Sequence, residues 1–130
     1  MADTYYDRIG GEQAVRLVAD GFYDTVDESY PRLAGMLPAD TTVTRRKLFL
    51  YLCGWLGGPQ LYTARYGHPR LRMRHLPFAI DEDGVRQWLE AMEVTLRRCE
   101  VEAALIDELM ALFGPLAHHM RNQPLSATDS

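Results

Sequence analysis

The chain has little cysteine, no long apolar run and no excess of positive charge, and each shortage removes a class of function. Its two cysteines, Cys53 and Cys99, stand far apart with no C-x-x-C pattern. Neither a disulfide framework nor a thiolate zinc site has support, and both residues read as small buried apolar side chains. No window approaches 18 consecutive apolar residues, and the opening Met1-Ala2-Asp3-Thr4-Tyr5-Tyr6-Asp7 lacks the basic start and apolar stretch of a secretory signal. The expectation is a cytoplasmic chain with no membrane partner. Fourteen basic against eighteen acidic side chains give a net charge of −4, and no basic run supplies a local field, so nucleic acid is a poor partner. Strand-like alternation and internal repeats are also missing.

What remains is a 130-residue chain, 47% hydrophobic and 25% charged, the composition of one compact globular domain. A chain of this size buries enough surface to close a core around a small ligand or cofactor. The expected domain spans residues 1–123, followed by a polar tail from Pro124 to Ser130.

Hydrophobic periodicity marks four long helices. After the break at Gly10-Gly11, Val15, Val18, Ala19, Phe22, Tyr23 and Val26 recur at three- and four-residue steps through to Glu28. Tyr30-Pro31 ends that helix, because the residue before a proline is pushed out of helical geometry, and Gly35 and Pro38 imply a bent corner. The second helix is expected from Asp40 or Thr41, either of which can cap it, to Leu56, with Thr44, Leu48, Leu52 and Trp55 on one stripe before Gly57-Gly58-Pro59. The third is capped by Asp81, carries Val85, Trp88, Leu89, Met92 and Leu96, and ends near Cys99. The fourth carries Leu105, Leu109, Leu112, Phe113, Leu116 and Met120. The fold class is therefore all-α. Between the second and third helices, Gln60 to Pro77 is irregular and gathers Arg65, Arg70, Arg72 and Arg74 with His68 and His75. Irregular segments of this length more often hold function than core.

Chemistry-bearing motifs are few. The sequence contains no G-x-S-x-G elbow, no G-x-x-x-x-G-K or G-x-G-x-x-G phosphate cradle, and no E-x-x-H carboxylate metal helix. The informative residue is His75, set among arginines and apolar residues in Gly67-His68-Pro69-Arg70-Leu71-Arg72-Met73-Arg74-His75-Leu76-Pro77-Phe78. By residue type alone it fits a structural histidine as well as a ligand.

The run Gly57-Gly58-Pro59-x-x-Tyr62, then Gly67-His68-Pro69-x-Leu71-Arg72-x-Arg74-His75-x-Pro77-Phe78, then Trp88, resembles the group II truncated haemoglobins. The resemblance extends from about Tyr6 to Asn122. It implies a globin-like two-over-two helical sandwich around a haem b, with His75 as the axial ligand to iron. His68 would brace its Gly-His-Pro turn, and His118 and His119 would lie at the surface. Lys47, Tyr62 and Arg72 match positions that face the haem propionates, where cations and phenols form charge-assisted hydrogen bonds; Leu48 and Phe78 match haem-lining positions. On the distal side, Tyr23 and Trp88 match hydrogen-bond donors to the gas ligand, with Thr44 and Leu48 facing the pocket and Tyr51 and Leu52 behind them. Relatives usually place phenylalanine, tyrosine or histidine in the corner where this chain has Leu37, which cannot donate a hydrogen bond.

The implied function is reversible binding of O2 at ferrous iron, for storage or sensing, with CO and NO as further gas ligands. Two rivals stand beside it. One is NO dioxygenation or peroxide-dependent oxidation at the same iron; the chain has no flavin or nicotinamide fingerprint, so turnover would draw on a separate reductase. The other is a haem-free helical interaction module. Oligomeric state is not legible.

Overall fold

A computed structural model of the chain describes residues 4–67 and 81–119. Those residues form seven helices: α1 (Tyr5–Ile9), α2 (Gly11–Ser29), α3 (Pro31–Ala34), α4 (Thr42–Trp55), α5 (Leu61–Tyr66), α6 (Glu82–Arg98) and α7 (Ala103–His119). The four long helices pack as two pairs, α2 with α4 and α6 with α7, and α2 also crosses α6. One core joins them: Val18, Phe22 and Val26 of α2 meet Leu52 and Cys53 of α4, Met92 and Leu96 of α6, and Leu109 and Phe113 of α7.

Local chemistry sets the boundaries. Thr4 caps α1 by accepting from the Asp7 amide at 3.1 Å, and Asp81 caps α6 by accepting from the Gly84 amide at 2.8 Å. A side-chain cap of this kind stabilises a helix end by about 1 kcal/mol. Tyr30 closes α2, and Pro31, lacking an amide hydrogen, begins α3 at the position where none is needed. Helix α4 starts where expected, with its end groups shared between the two candidate residues. Thr41 stands at the N-cap without a side-chain cap bond, while Asp40 accepts from the Thr42 amide at 2.9 Å and from the Thr42 hydroxyl at 2.6 Å. The Thr41 hydroxyl is engaged elsewhere, by Arg45.

The corner after α2 is tied to the start of α6. Arg32 of α3 reaches Asp81 and Asp83, each at 2.8 Å. At the other end, the first helix docks on the glycine pair after α4: the Tyr6 amide donates to the Leu56 carbonyl at 2.9 Å. A Cβ on Gly58 would stand 2.6 Å from the Tyr6 ring, and Gly57 holds a φ of +96° that disfavours other residues.

Three short helices, α1, α3 and α5, were not expected from periodicity. The fourth stripe also needs correction: Leu105, Ile106, Leu109, Phe113 and Ala117 are the buried face of α7, whereas Leu112 is 41% exposed. Cys53 is fully buried and Cys99 half-buried, both as free thiols whose pKa values burial pushes up. That suppresses the thiolate and fits their reading as apolar side chains. No helix among the described residues is long and apolar enough to cross a membrane.

Candidate functional site

Tyr23 and Trp88 come together where α2 crosses α6. Both rings pack on Phe22, Tyr23 edge-on at 5.2 Å and Trp88 tilted at 5.2 Å. Trp88 continues to Phe113 at 5.6 Å, and Phe113 stacks on Trp55 of α4 at 4.6 Å. This aromatic ladder fixes both rings through contacts that leave their polar ends free. Among the described residues, neither the Tyr23 hydroxyl nor the Trp88 indole N–H has a hydrogen-bond partner. Both residues are half-buried, and neither donor finds an acceptor within the described chain to offset the water it gives up. Burial pushes the Tyr23 pKa up to about 12, against a smaller lowering by the nearby Arg45 cation. The phenol is therefore a neutral donor at any physiological pH.

Helix α4 presents two apolar faces rather than one. Phe49, Leu52, Cys53 and Leu56 are buried in the core. Thr44, Leu48, Tyr51 and Trp55, spaced to share another side of the helix, are only half-buried. Beside this second face lies a cluster of phenols. Tyr51 meets the buried Tyr62 at 6.1 Å and 90°, Tyr62 meets Tyr66 at 5.0 Å, and the Lys47 ammonium sits 5.2 Å from the Tyr66 ring centre. Burial pushes the Tyr51 pKa up to about 12, and its hydroxyl too has no hydrogen-bond partner among the described residues.

Of the residues singled out from sequence, Tyr23, Leu37, Thr44, Lys47, Leu48, Tyr62 and Trp88 are described. Tyr23 and Trp88 share Phe22; Thr44, Lys47 and Leu48 share the first turns of α4; Lys47 and Tyr62 are joined through Tyr66. Leu37 occupies the corner between α3 and α4, its amide donating to the Ala34 carbonyl at 3.1 Å, and packs against the edge of the core. His118 and His119 are exposed, as expected. His75, Arg72, Phe78 and His68 lie outside the described residues. No group of three or more potential metal ligands occurs among the described residues.

Sequence reasoning missed Tyr66 and Arg45. Tyr66 was findable, standing four residues after Tyr62 on one helical face. Arg45 was not, because its partners Asp20, Asp24 and Asp27 sit on another helix.

The structure is thus an all-helical protein of two packed pairs, with two donors lacking partners among the described residues and a second face of α4 that is only half-covered. The bacterial-like globin family matches residues 4–122 of this chain. The group 2 truncated hemoglobin YjbI of Bacillus subtilis (strain 168) is 41% identical over 118 residues, covering 91% of this chain and 88% of that protein. Among solved structures, the group II truncated hemoglobin from Bacillus anthracis has a TM-score of 0.92 at 36% identity, covering 100% of this chain and 99% of its own. The truncated oxygen-avid haemoglobin from Bacillus subtilis gives 0.85 at 38% identity, covering 92% and 100%. The chain belongs to the bacterial-like globins. Within them it is a group II truncated haemoglobin, a haem-binding two-on-two globin.

Its relatives are haemoglobins, which implies a haem cofactor and a diatomic gas ligand. The residues described here fit that group. Tyr23 and Trp88 offer donors with nothing to donate to, α4 offers an apolar face half-covered by the rest of the chain, and Lys47 offers a cation at its edge.

Proposed function

We propose that this chain holds haem b through His75 and binds O2 reversibly, with Tyr23 and Trp88 donating hydrogen bonds to the gas ligand. The observation that carries the reading is the pair of half-buried donors, packed on one ring, that have no partner among the described residues. Bound haem would supply a ferrous iron able to take a diatomic gas, with more negative charge on O2 than on CO. The neutral phenol of Tyr23 and the indole of Trp88, which can only donate, are suited to that charge. Hydrogen bonds to a charged acceptor are worth about 1.5–3 kcal/mol, so together the donors slow O2 release by about ten- to a hundredfold or more. Retention of this kind suits storage or sensing better than bulk delivery, and the oxygen-avid name of the Bacillus subtilis relative supports it.

Residues of α4, together with Tyr62, Arg72 and Phe78 that follow it in sequence, would supply the remaining contacts. Leu48 and Phe78 cover the porphyrin, Thr44 stands on the distal side, and Lys47, Tyr62 and Arg72 serve the propionates. Leu37 adds bulk but no third donor, leaving the polar work to Tyr23 and Trp88.

Optical spectra of the ferric, ferrous and CO-bound protein test the reading. His75→Ala is expected to remove the normal proximal bond, with altered ferrous spectra and weakened haem retention. A variant with unchanged spectra and affinity would overturn the assignment.

A further inference from the structure

The geometry points to Arg45 as the positioning residue of the distal side, clamping α4 to α2 and bracing the Tyr23 ring so that its hydroxyl keeps one orientation; this rests on the proposed role of Tyr23. Arg45 follows Thr44 on α4, and its side chain is only 22% exposed. Its Nε donates to the Thr41 hydroxyl at 2.8 Å, and Nη1 donates to the Asp20 carbonyl at 2.9 Å. Its Nη2 pairs with Asp24 at 2.9 Å, while the Asp20 and Asp27 carboxylates stand at 3.9 Å. The guanidinium carbon lies 5.9 Å from the Tyr23 ring centre.

Asp20, Asp24 and Asp27 form an acidic ridge along α2 on either side of Tyr23. One planar cation therefore binds the backbone and carboxylates of α2, the first turn of α4 and the ring between them. Exposed single ion pairs contribute little, but here the fork is committed at every nitrogen. The contact leaves the Tyr23 ring between Phe22 and Arg45, with rotation about its side-chain bonds restricted from both sides. A lysine has the charge without the flat fork and can hold only part of this arrangement.

The test follows the ring line of Tyr23 in protein carrying 13C-labelled tyrosine, assigned by its loss in Tyr23→Phe, in the ferrous CO-bound form and in the protein as purified. In Arg45→Met the line is expected to move and broaden, and O2 release to speed by about two- to fivefold, the scale of one cation–π contact that is not fully desolvated. Arg45→Lys is expected to move the line the same way by less. If Arg45→Met does not fold, Arg45→Lys carries the test, since loss of the flat fork must still displace the ring. An unmoved Tyr23 line in a folded variant overturns the inference, as does unchanged O2 release in Arg45→Met when Tyr23→Phe releases fast. A protein with no Soret band would instead sink the haem reading, while the ring line still reports on Arg45.

Discussion

Helices α2 and α6 face each other with two polar pairs, and the pairs are treated in opposite ways. Thr25 and Thr95 are fully buried and satisfied: their hydroxyls lie 3.2 Å apart, Thr95 reaches the Ala91 carbonyl at 2.7 Å, and Arg98 donates to Thr25 at 3.3 Å. Tyr23 and Trp88 lie on the same two helices, are packed just as firmly through Phe22, and leave their donors without partners among the described residues. A polar group that is buried and paired within the chain holds the fold together; one that is held rigid and left unpaired is waiting for a ligand. The contrast separates structure from function on a single interface, and it can be broken from either side.

The largest effect is expected at the unpaired donors. Tyr23→Phe and Trp88→Phe should each speed O2 release, by about tenfold or more where the lost bond is to a charged acceptor. Tyr23→Phe should not lower the urea midpoint, since no internal hydrogen bond is lost, whereas Trp88→Phe also gives up packing on Phe22 and Phe113 and should lower it. Stopped-flow displacement of O2 by CO measures the first and denaturation the second; rates unchanged in both variants would remove the donors from the mechanism.

At the paired site the pattern should invert. Thr95→Val takes from the Thr25 hydroxyl its partner on α6 inside the core, leaving only the longer contact from Arg98, and is expected to cost about 1–3 kcal/mol of stability, while O2 release stays near the parent rate. Release that changes as much as in Tyr23→Phe would mean that the two pairs are coupled rather than distinct.

The smallest effect concerns alkali. Tyr23 and Tyr51 both have pKa values pushed up to about 12, chiefly by burial, above the ordinary value near 10. The folded state binds their protons more tightly than the unfolded one. Their contribution is therefore complete below pH 10 and is lost as pH rises from 10 through about 12. Tyr23→Phe should shift alkaline unfolding to higher pH, and O2 release should be flat between about pH 6 and 9, where phenols stay protonated.

The long helices were legible in the sequence because each runs several turns, long enough for a 3.6-residue period to show. Asp81 announced its own helix by standing before two acidic residues, and the structure bears that out. The four to six residues of α1, α3 and α5 cannot display a period, so they went unseen. Leu112 was misjudged for a related reason: it neighbours the buried Phe113, and spacing alone does not say where a stripe ends. The site was harder still. Periodicity put Tyr23 and Trp88 on apolar faces but could not tell a core aromatic from one with an unspent hydrogen bond; only the resemblance of the surrounding motif separated them. Arg45 lay beyond either approach, its meaning residing in three aspartates half a helix pair away.

The docking of the amino-terminal turn on Gly57 and Gly58 bears on how this protein is best handled at the bench. Thr4 and Tyr6 press against those glycines, and Arg8 grips Glu108 at 2.6 Å, so residues 4–8 act as a strap across the far end of α4 and onto α7. An affinity tag joined rigidly just ahead of this turn would pull on that strap, whereas one offered through a flexible spacer would leave it fastened.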